Sequence, residues 1–266
     1  FIGKDIVYHH YLFLPAMRLG IGEEYKLPDY IPTRGHLTLQ AKKISKSRNW
    51  YIGLKDFLQI FPADYLRFYL VSINPYSQDD LNFDWNEFAT KINSELIGNL
   101  GNLVNRVLGF TVKSFDGIIP EPEEFDDADK ESEKLIKEFV TEIGTLMEQN
   151  HLDRALKKIF QFSAHFNQYF QHKEPWKNNP GTNSCIYLSV NAVRSLAIAI
   201  YPFLPESSQK IWTQLGMHDN ISAQSFDEIS NISINQGHKL GKISPLFDKV
   251  EESVIKEQSA KLGDST

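Results

Sequence analysis

The chain has 266 residues, 41% hydrophobic and 12% aromatic, which allows one large or two ordinary domains with a real core and excludes a disordered segment. Its one cysteine, Cys185, excludes an internal disulfide or a cysteine-rich zinc cage within these residues and reads as a structural thiol. The net charge of -6 does not exclude a polyanion partner, because residues 121–134 (EPEEFDDADKESEK) hold eight acids against two lysines and leave the rest of the chain neutral, with basic clusters at 34–55 and 154–177. That acidic run reads as a solvated linker leading into a helix whose first turn it suits. The chain begins on Phe1 rather than Met, directly on an apolar run, which suggests a segment of a longer protein. No signal peptide is recognisable, and no apolar run reaches the length of about 18 residues that spans a bilayer, so no membrane partner is expected and the cytoplasm is the expected compartment.

In chain order, FIGKDIVYHHYLFLPAMRLG predicts a short strand or turn around Gly3, then a helix stopping near Gly20. LPDYIPTRGHLTLQ combines prolines with alternation at His36, Leu37, Thr38 and Leu39, a strand-and-turn pattern. LKDFLQIF and ADYLRFYLVSI follow as short helices, with Pro62 suited to a first helical position. From Asp84 the helical period dominates: Phe88, Ile92, Leu96, Leu100, Leu103, Val107 and Phe110 recur at three- and four-residue steps. Further helices are expected over Ser132–Asn150, Leu152–His172, Ser184–Tyr201 and Glu206–Leu215, with Gly216 as a left-handed cap, and such helices with short links make a bundle. The remaining residues lose periodicity and form an irregular tail with a closing helix near Val250–Lys261.

One stretch has no structural excuse. AKKISKSRNW, residues 41–50, carries four cations and two serines with only Ile44 and Trp50 as bulky apolar residues. Lysine is a mobile point charge that can follow negative charge developing on phosphate oxygens, so Lys43, Ser45, Lys46 and Ser47 form a candidate phosphate-binding loop. An exposed basic loop is the plainer alternative, and a fixed Lys-x-Ser-Lys-Ser match arises by chance in a chain of this length on the order of once in a few hundred.

KISKS at Lys43–Ser47 resembles the lysine-serine signature of class I aminoacyl-tRNA synthetases, with Ile44 where Met is commonest. FIGKDIVYHHYLFLPAM before it resembles the segment that precedes this signature in methionyl-tRNA synthetases; NLGNLVNRVLGF and KEPW resemble that family's anticodon-binding helices, and GHKLGKISPLF the ending of archaeal and eukaryal-type members. The resemblance implies a mainly α fold: the C-terminal remnant of a class I Rossmann-type catalytic domain over residues 1–80, a helical anticodon-binding domain over 81–215, and an irregular tail over 216–266. It implies a methionine-tRNA ligase that uses ATP with Mg2+, with methionine and tRNA(Met) as partners. Zinc would belong only to a part N-terminal to Phe1, together with the His-Ile-Gly-His element, and no metal is implied within this chain.

Residue by residue, the resemblance implies that Lys46, assisted by Lys43, meets the ATP phosphates in the adenylation transition state, with Ser45 and Ser47 in the same loop. Gly3 and Asp5 would line the adenylate ribose, Leu37 would receive adenine through its backbone, and His10 would reach the methionine pocket. Asn102 and Arg106, with Pro175 and Trp176, would read the anticodon, taking its flipped first base, a cytosine, between the indole and the polar pair. Lys173 and Lys177 flank Trp176 and would offer phosphate contacts. Independently of the resemblance, Asn102 and Arg106 are four apart on one helical ridge, away from the Leu100, Leu103 and Val107 stripe. The sequence departs from the family at Asn49, where Gly usually follows the signature arginine, and at Leu14, where a Trp usually precedes the proline. Two alternatives remain open at this point: a stand-alone tRNA-binding module without catalysis, and a class I synthetase for Leu, Ile, Val or Cys.

Overall fold

The computed structural model describes residues 3–22 and 25–263; Phe1 and Ile2, on which the apolar start was read, and the last three residues of the tail lie outside them. The mainly helical expectation holds. A 3-10 turn (Lys4–Ile6) and a π-helical turn (His9–Phe13) run into α1 (Leu14–Ile21), which stops at left-handed Gly22, two residues beyond the expected end. Three short strands then form one sheet in the order β2 (Lys42–Lys43), β1 (Leu37–Leu39), β3 (Leu81–Phe83). β1 and β2 are antiparallel with Leu39 opposite Lys42, whereas β1 and β3 are parallel with Leu39 opposite Phe83. Parallel partners need a crossover, and α2 (Leu54–Ile60) with α3 (Ala63–Ser72) lies in it. Pro62 stands one position before α3, as its N-cap in extended conformation, not at the first helical position expected of it.

The long helix begins where Asp84 accepts hydrogen bonds from the Asn86 and Glu87 amides at 2.8 and 2.9 Å. It runs as α4 (Trp85–Lys91), a π-helical stretch (Ile92–Gly101) and α5 (Asn102–Phe115). Every residue of the expected apolar stripe is buried except half-buried Phe110. An aromatic cluster joins the sheet to this helix, with Phe83 5.0 Å from both Tyr69 and Trp85, and Phe88 packed on Phe57, Phe61 and Tyr69.

Four more helices complete the bundle: α6 (Asp127–Glu148), α7 (Leu152–Lys173), α8 (Thr182–Ile200) and α9 (Pro205–Gln214), with Gly216 left-handed at φ 81° as expected. Residues 121–126 form the expected exposed coil leading into a helix, but the helix starts inside the acidic run. Asp126 and Asp129 form a reciprocal capping box that starts α6 five residues earlier than the periodicity suggests, and Asp129 is fully buried. Apolar residues mark only the part of a helix that faces the core, so a first turn built on carboxylates has no such mark. α8 is the bundle's central rod. By length and composition it is apolar enough to cross a membrane, contrary to the reading of the sequence, but 89% of its most apolar window is buried against its neighbours. Beyond α9 the chain is irregular apart from short 3-10 turns, and α10 (Glu252–Ala260) packs against α4, anchored by reciprocal Asn93–Val250 hydrogen bonds of 2.9 Å.

Candidate functional site

The candidate residues fall into two groups at different places in the fold. The first is the lysine-serine segment. It is a closed hairpin rather than an open loop. Gln40 (φ 49°) and Ala41 (φ 59°) both take left-handed conformations in the β1–β2 turn, which suits the twist of a two-residue hairpin but is strained for side chains other than Gly or Asn. Bonds from β3 hold the strain: the Gln40 amide donates to the Phe83 carbonyl at 2.8 Å and the Ala41 amide to Asn82 Oδ1 at 2.6 Å. Ser45 and Trp50 then exchange backbone bonds of 2.8 and 2.9 Å, closing a 3-10 turn over Lys46–Arg48 that ends at left-handed Asn49. The Trp50 indole donates to the Leu39 carbonyl at 2.8 Å, which fixes the base of the turn to β1.

Above that base, Lys43, Lys46 and Ser47 are exposed, and neither lysine forms a salt bridge among the described residues. Ser45 Oγ lies 3.2 Å from Ser47 Oγ. The turn is a rigid frame carrying free charges. On its far side the Asn49 amide side chain donates to the Lys261 carbonyl at 3.2 Å, and the Gly263 amide donates to the Asn49 carbonyl at 3.0 Å, so the end of the chain closes over the Arg48–Asn49 backbone.

Gly3 pairs with Arg34 in an isolated bridge, and Asp5 Oδ1 lies 3.2 Å from His36 Nε2, which places both beside Leu37. The His36 hydrogen bond holds the exposed Asp5 carboxyl below its usual range. The sequence reading passed over His36. The His36 amide also donates to Asp80 at 2.9 Å, and Lys4 pairs with the same carboxylate at 2.7 Å, so His36 ties the chain start to the sheet. His10 is half-buried with Nδ1 3.1 Å from the carbonyl of Ile6, within its own helix. No hydrogen bond or ion pair among the described residues joins Asp5 or His10 to the Lys43–Ser47 turn.

The second group comes together on the face shared by α5 and α7. Arg106 Nη2 donates to Gln171 Oε1 at 2.8 Å, and its guanidinium lies 5.4 Å from the Phe170 ring centre and 5.8 Å from that of Trp176. One turn earlier, Asn102 donates to Asn167 Oδ1 at 2.8 Å. Pro175 is buried while Trp176 is 45% exposed, an indole with one open side beside a held guanidinium. Asn167 and Gln171 are residues that sequence reasoning missed. They are four apart inside HFNQYFQHK, and uncharged amides at helical spacing amid aromatic residues were the available signal.

The flanking cations do not behave as expected. Lys173 is not placed as a phosphate contact: its side chain is 7% exposed and its ammonium lies 2.7 Å from carboxylate oxygens of both Asp126 and Asp129. Lys177 is exposed but paired with Glu174 at 2.7 Å. The local charge is spent within the protein, which leaves an aromatic and hydrogen-bonding surface with Arg106 as its cation.

The comparisons match both groups. The model for class I tRNA synthetases (M) matches residues 1–108, and the anticodon-binding domain of methionyl tRNA ligase matches residues 119–265. The methionine–tRNA ligase of Pyrococcus horikoshii is 39% identical over 96% of this chain and 36% of its own length; that of Saccharolobus islandicus is 36% identical over 98% of this chain and 47% of its own. Mycobacterium tuberculosis methionyl-tRNA synthetase in complex with methionyl-adenylate superposes with a TM-score of 0.85 at 28% identity, covering 92% of this chain and 49% of that one; its apo form gives 0.82 at 26%, covering 94% and 49%. The chain therefore spans less than half the length of each of these relatives. With matches that run from the lysine-serine hairpin through the bundle to the tail, the chain belongs to the methionyl-tRNA ligase family.

Proposed function

We propose that this chain supplies two working parts of a methionine–tRNA ligase, which activates methionine with ATP and transfers it to tRNA(Met) in the cytoplasm. The observation that carries the reading is the approach of Arg106, in the segment matched to class I tRNA synthetases (M), to within 5.8 Å of half-exposed Trp176, in the segment matched to a methionyl anticodon-binding domain. In adenylation a methionine carboxylate oxygen attacks the α-phosphorus of ATP, the bond from that phosphorus to the bridging oxygen breaks, and pyrophosphate leaves with the electron pair. Negative charge then grows on oxygens that were already anionic. Lys46, with Lys43 behind it, meets that charge, and because the contact strengthens in the transition state it raises the rate more than the affinity for ATP. Ser45 and Ser47 hydroxyls donate to the same oxygens. Asp5, oriented by its hydrogen bond with His36, accepts from the adenylate ribose beside Gly3; the backbone at Leu37 receives adenine, and His10 faces methionine. Magnesium accompanies ATP as its phosphate counterion. We place zinc outside these residues, as the resemblance to the family implies.

At the other end the first anticodon base, a cytosine, stacks on Trp176 while Asn102 and Arg106, already oriented by Asn167 and Gln171, offer their remaining donors to its edge. Stacking of one base on an aromatic side chain contributes about 1–3 kcal/mol. Pro175 fixes the backbone that presents the ring. The test uses the full-length protein with tRNA(Met) and with the same tRNA altered only at the first anticodon base. The altered tRNA keeps a base to stack but loses the edge contacts to Asn102 and Arg106, about 1–3 kcal/mol. Charging is therefore expected to fall by roughly 5- to 150-fold while methionine-dependent ATP–pyrophosphate exchange is unchanged. Equal charging of the two tRNAs would overturn the reading.

A further inference from the structure

The turn that carries Trp176 is wrapped around a buried charge. α7 ends at Lys173, and the next residue, Glu174, takes a left-handed conformation (φ 43°) that is strained for a residue other than Gly or Asn. Pro175–Lys177 form one 3-10 turn, Asn178 is again left-handed (φ 50°), and Gly181 (φ 84°) leads into α8. Asn178 and Gly181 suit that conformation, so the strain sits at Glu174, and a strained residue persists only where its surroundings over-determine it.

Lys173 provides that determination. Its ammonium points back under the turn to the N-terminus of α6, 2.7 Å from Asp126, which caps that helix, and 2.7 Å from Asp129, which is fully buried. Tyr169, one turn earlier on α7, donates to the same Asp129 at 2.5 Å. A side chain at position 181 would begin 3.1 Å from the Lys173 ammonium, so the turn closes over the cation at a glycine that the backbone also requires. The Gly181 amide donates to Glu123, just upstream of α6. Both ends of the Trp176 turn are therefore fixed to the start of α6. Burial alone would lower the Lys173 pKa, but the two carboxylates outweigh it and raise it, while Lys173 holds the Asp126 carboxyl below its usual range.

We infer that Lys173 is a positioning residue for anticodon reading: the Lys173–Asp126–Asp129 triad sets the direction in which Trp176 is presented beside Arg106, without itself touching RNA. The inference rests on the function proposed above, and its experiment separates the two. The full-length protein is labelled with fluorotryptophan, and the fluorine resonance absent from Trp176→Phe is assigned to Trp176. Lys173→Met is expected to shift or broaden that resonance and leave the others in place. It should raise the KM for tRNA by no more than Trp176→Ala does, roughly 5- to 150-fold, with ATP–pyrophosphate exchange unchanged. The two substitutions should be non-additive, because both act through one ring.

Removing the lysine alone leaves the buried Asp129 carboxylate without its cation and can unfold the protein. The pair Lys173→Met with Asp129→Asn removes the fully buried carboxylate together with the ammonium that neutralises it. It should recover thermal stability yet still show the displaced Trp176 signal, a split that a merely structural role would not produce. An unmoved Trp176 resonance in the folded double variant overturns the inference. So does a tRNA KM that stays normal in Lys173→Met although Trp176→Ala raises it. If Trp176→Ala has no effect on charging, what fails is the anticodon reading of this face.

Discussion

The lysine-serine hairpin and the Arg106–Trp176 face treat their charges in opposite ways. At the hairpin the backbone is braced by β3, Trp50 and the end of the chain, while Lys43 and Lys46 stand in solvent with no salt bridge among the described residues. At the α5–α7 face the polar side chains are held already: Asn102 by Asn167, Arg106 by Gln171 and two rings, Lys173 by two carboxylates, Lys177 by Glu174. The difference follows from what each end would meet. Charge that moves during phosphoryl chemistry calls for a lysine able to follow it, and a base edge calls for donors set in advance.

The strongest challenge to this contrast is a substitution that spoils both ends together. Phe88 is fully buried in the cluster joining the sheet to the long helix. Phe88→Ala should cost about 3–5 kcal/mol in chemical denaturation and depress adenylation and charging in parallel. A stable Phe88→Ala protein with one activity intact would show that the junction does not couple the ends. Smaller effects resolve the pocket itself. Trp176→Ala and Arg106→Ala should each weaken tRNA binding by about 1–3 kcal/mol, and the double variant should fall short of their sum because they share one base. Full additivity in the double-mutant cycle would break the shared pocket.

Asn49 addresses the other end. Glycine in its place keeps the left-handed turn but removes the bond to the Lys261 carbonyl, a contribution of about 1 kcal/mol. Hydrogen exchange of residues 46–50 should accelerate about fivefold in Asn49→Gly with little change in the bundle; unchanged exchange would mean that the tail does not brace the hairpin. The smallest effect is a pH dependence. Burial lowers the His165 pKa below 6.5, so the ring is neutral in the fold, and the stability this brings is complete above pH 6.5 and lost as the pH falls through the depressed folded value. The melting temperature should drop less steeply below pH 6.5 in His165→Gln than in the unsubstituted protein, and parallel curves would remove His165 from the account.

The two ends also differed in how far they could be read from residues alone. The Phe88–Val107 stripe announces its helix because burial on one face forces a helical period, and Asn102 with Arg106 stands out as the polar ridge beside it. Trp176 after a proline was legible for a similar local reason. Lys173 was not, since the carboxylates that bury it lie in an acidic run more than forty positions away, and that run looks like a solvated linker until the fold brings it back. β3 escaped notice because three residues paired in parallel across a two-helix crossover leave almost no local pattern. His36 and the amides of Asn167 and Gln171 matter through their neighbours, which no spacing within one segment discloses.

The separation of the two ends is tested most directly by measuring two constants on each of two variants of the full-length protein. These are the single-turnover rate of methionyl-adenylate formation and the dissociation constant for tRNA(Met). Lys46→Ala should slow adenylation by roughly 100- to 1,000-fold and leave tRNA binding within about twofold, as expected for a donor that acts mainly in the transition state. Trp176→Ala should weaken tRNA binding by roughly 5- to 150-fold and leave adenylation within about twofold. Lys46→Ala or Trp176→Ala moving both constants together, or the reverse assignment of the two, would contradict the account.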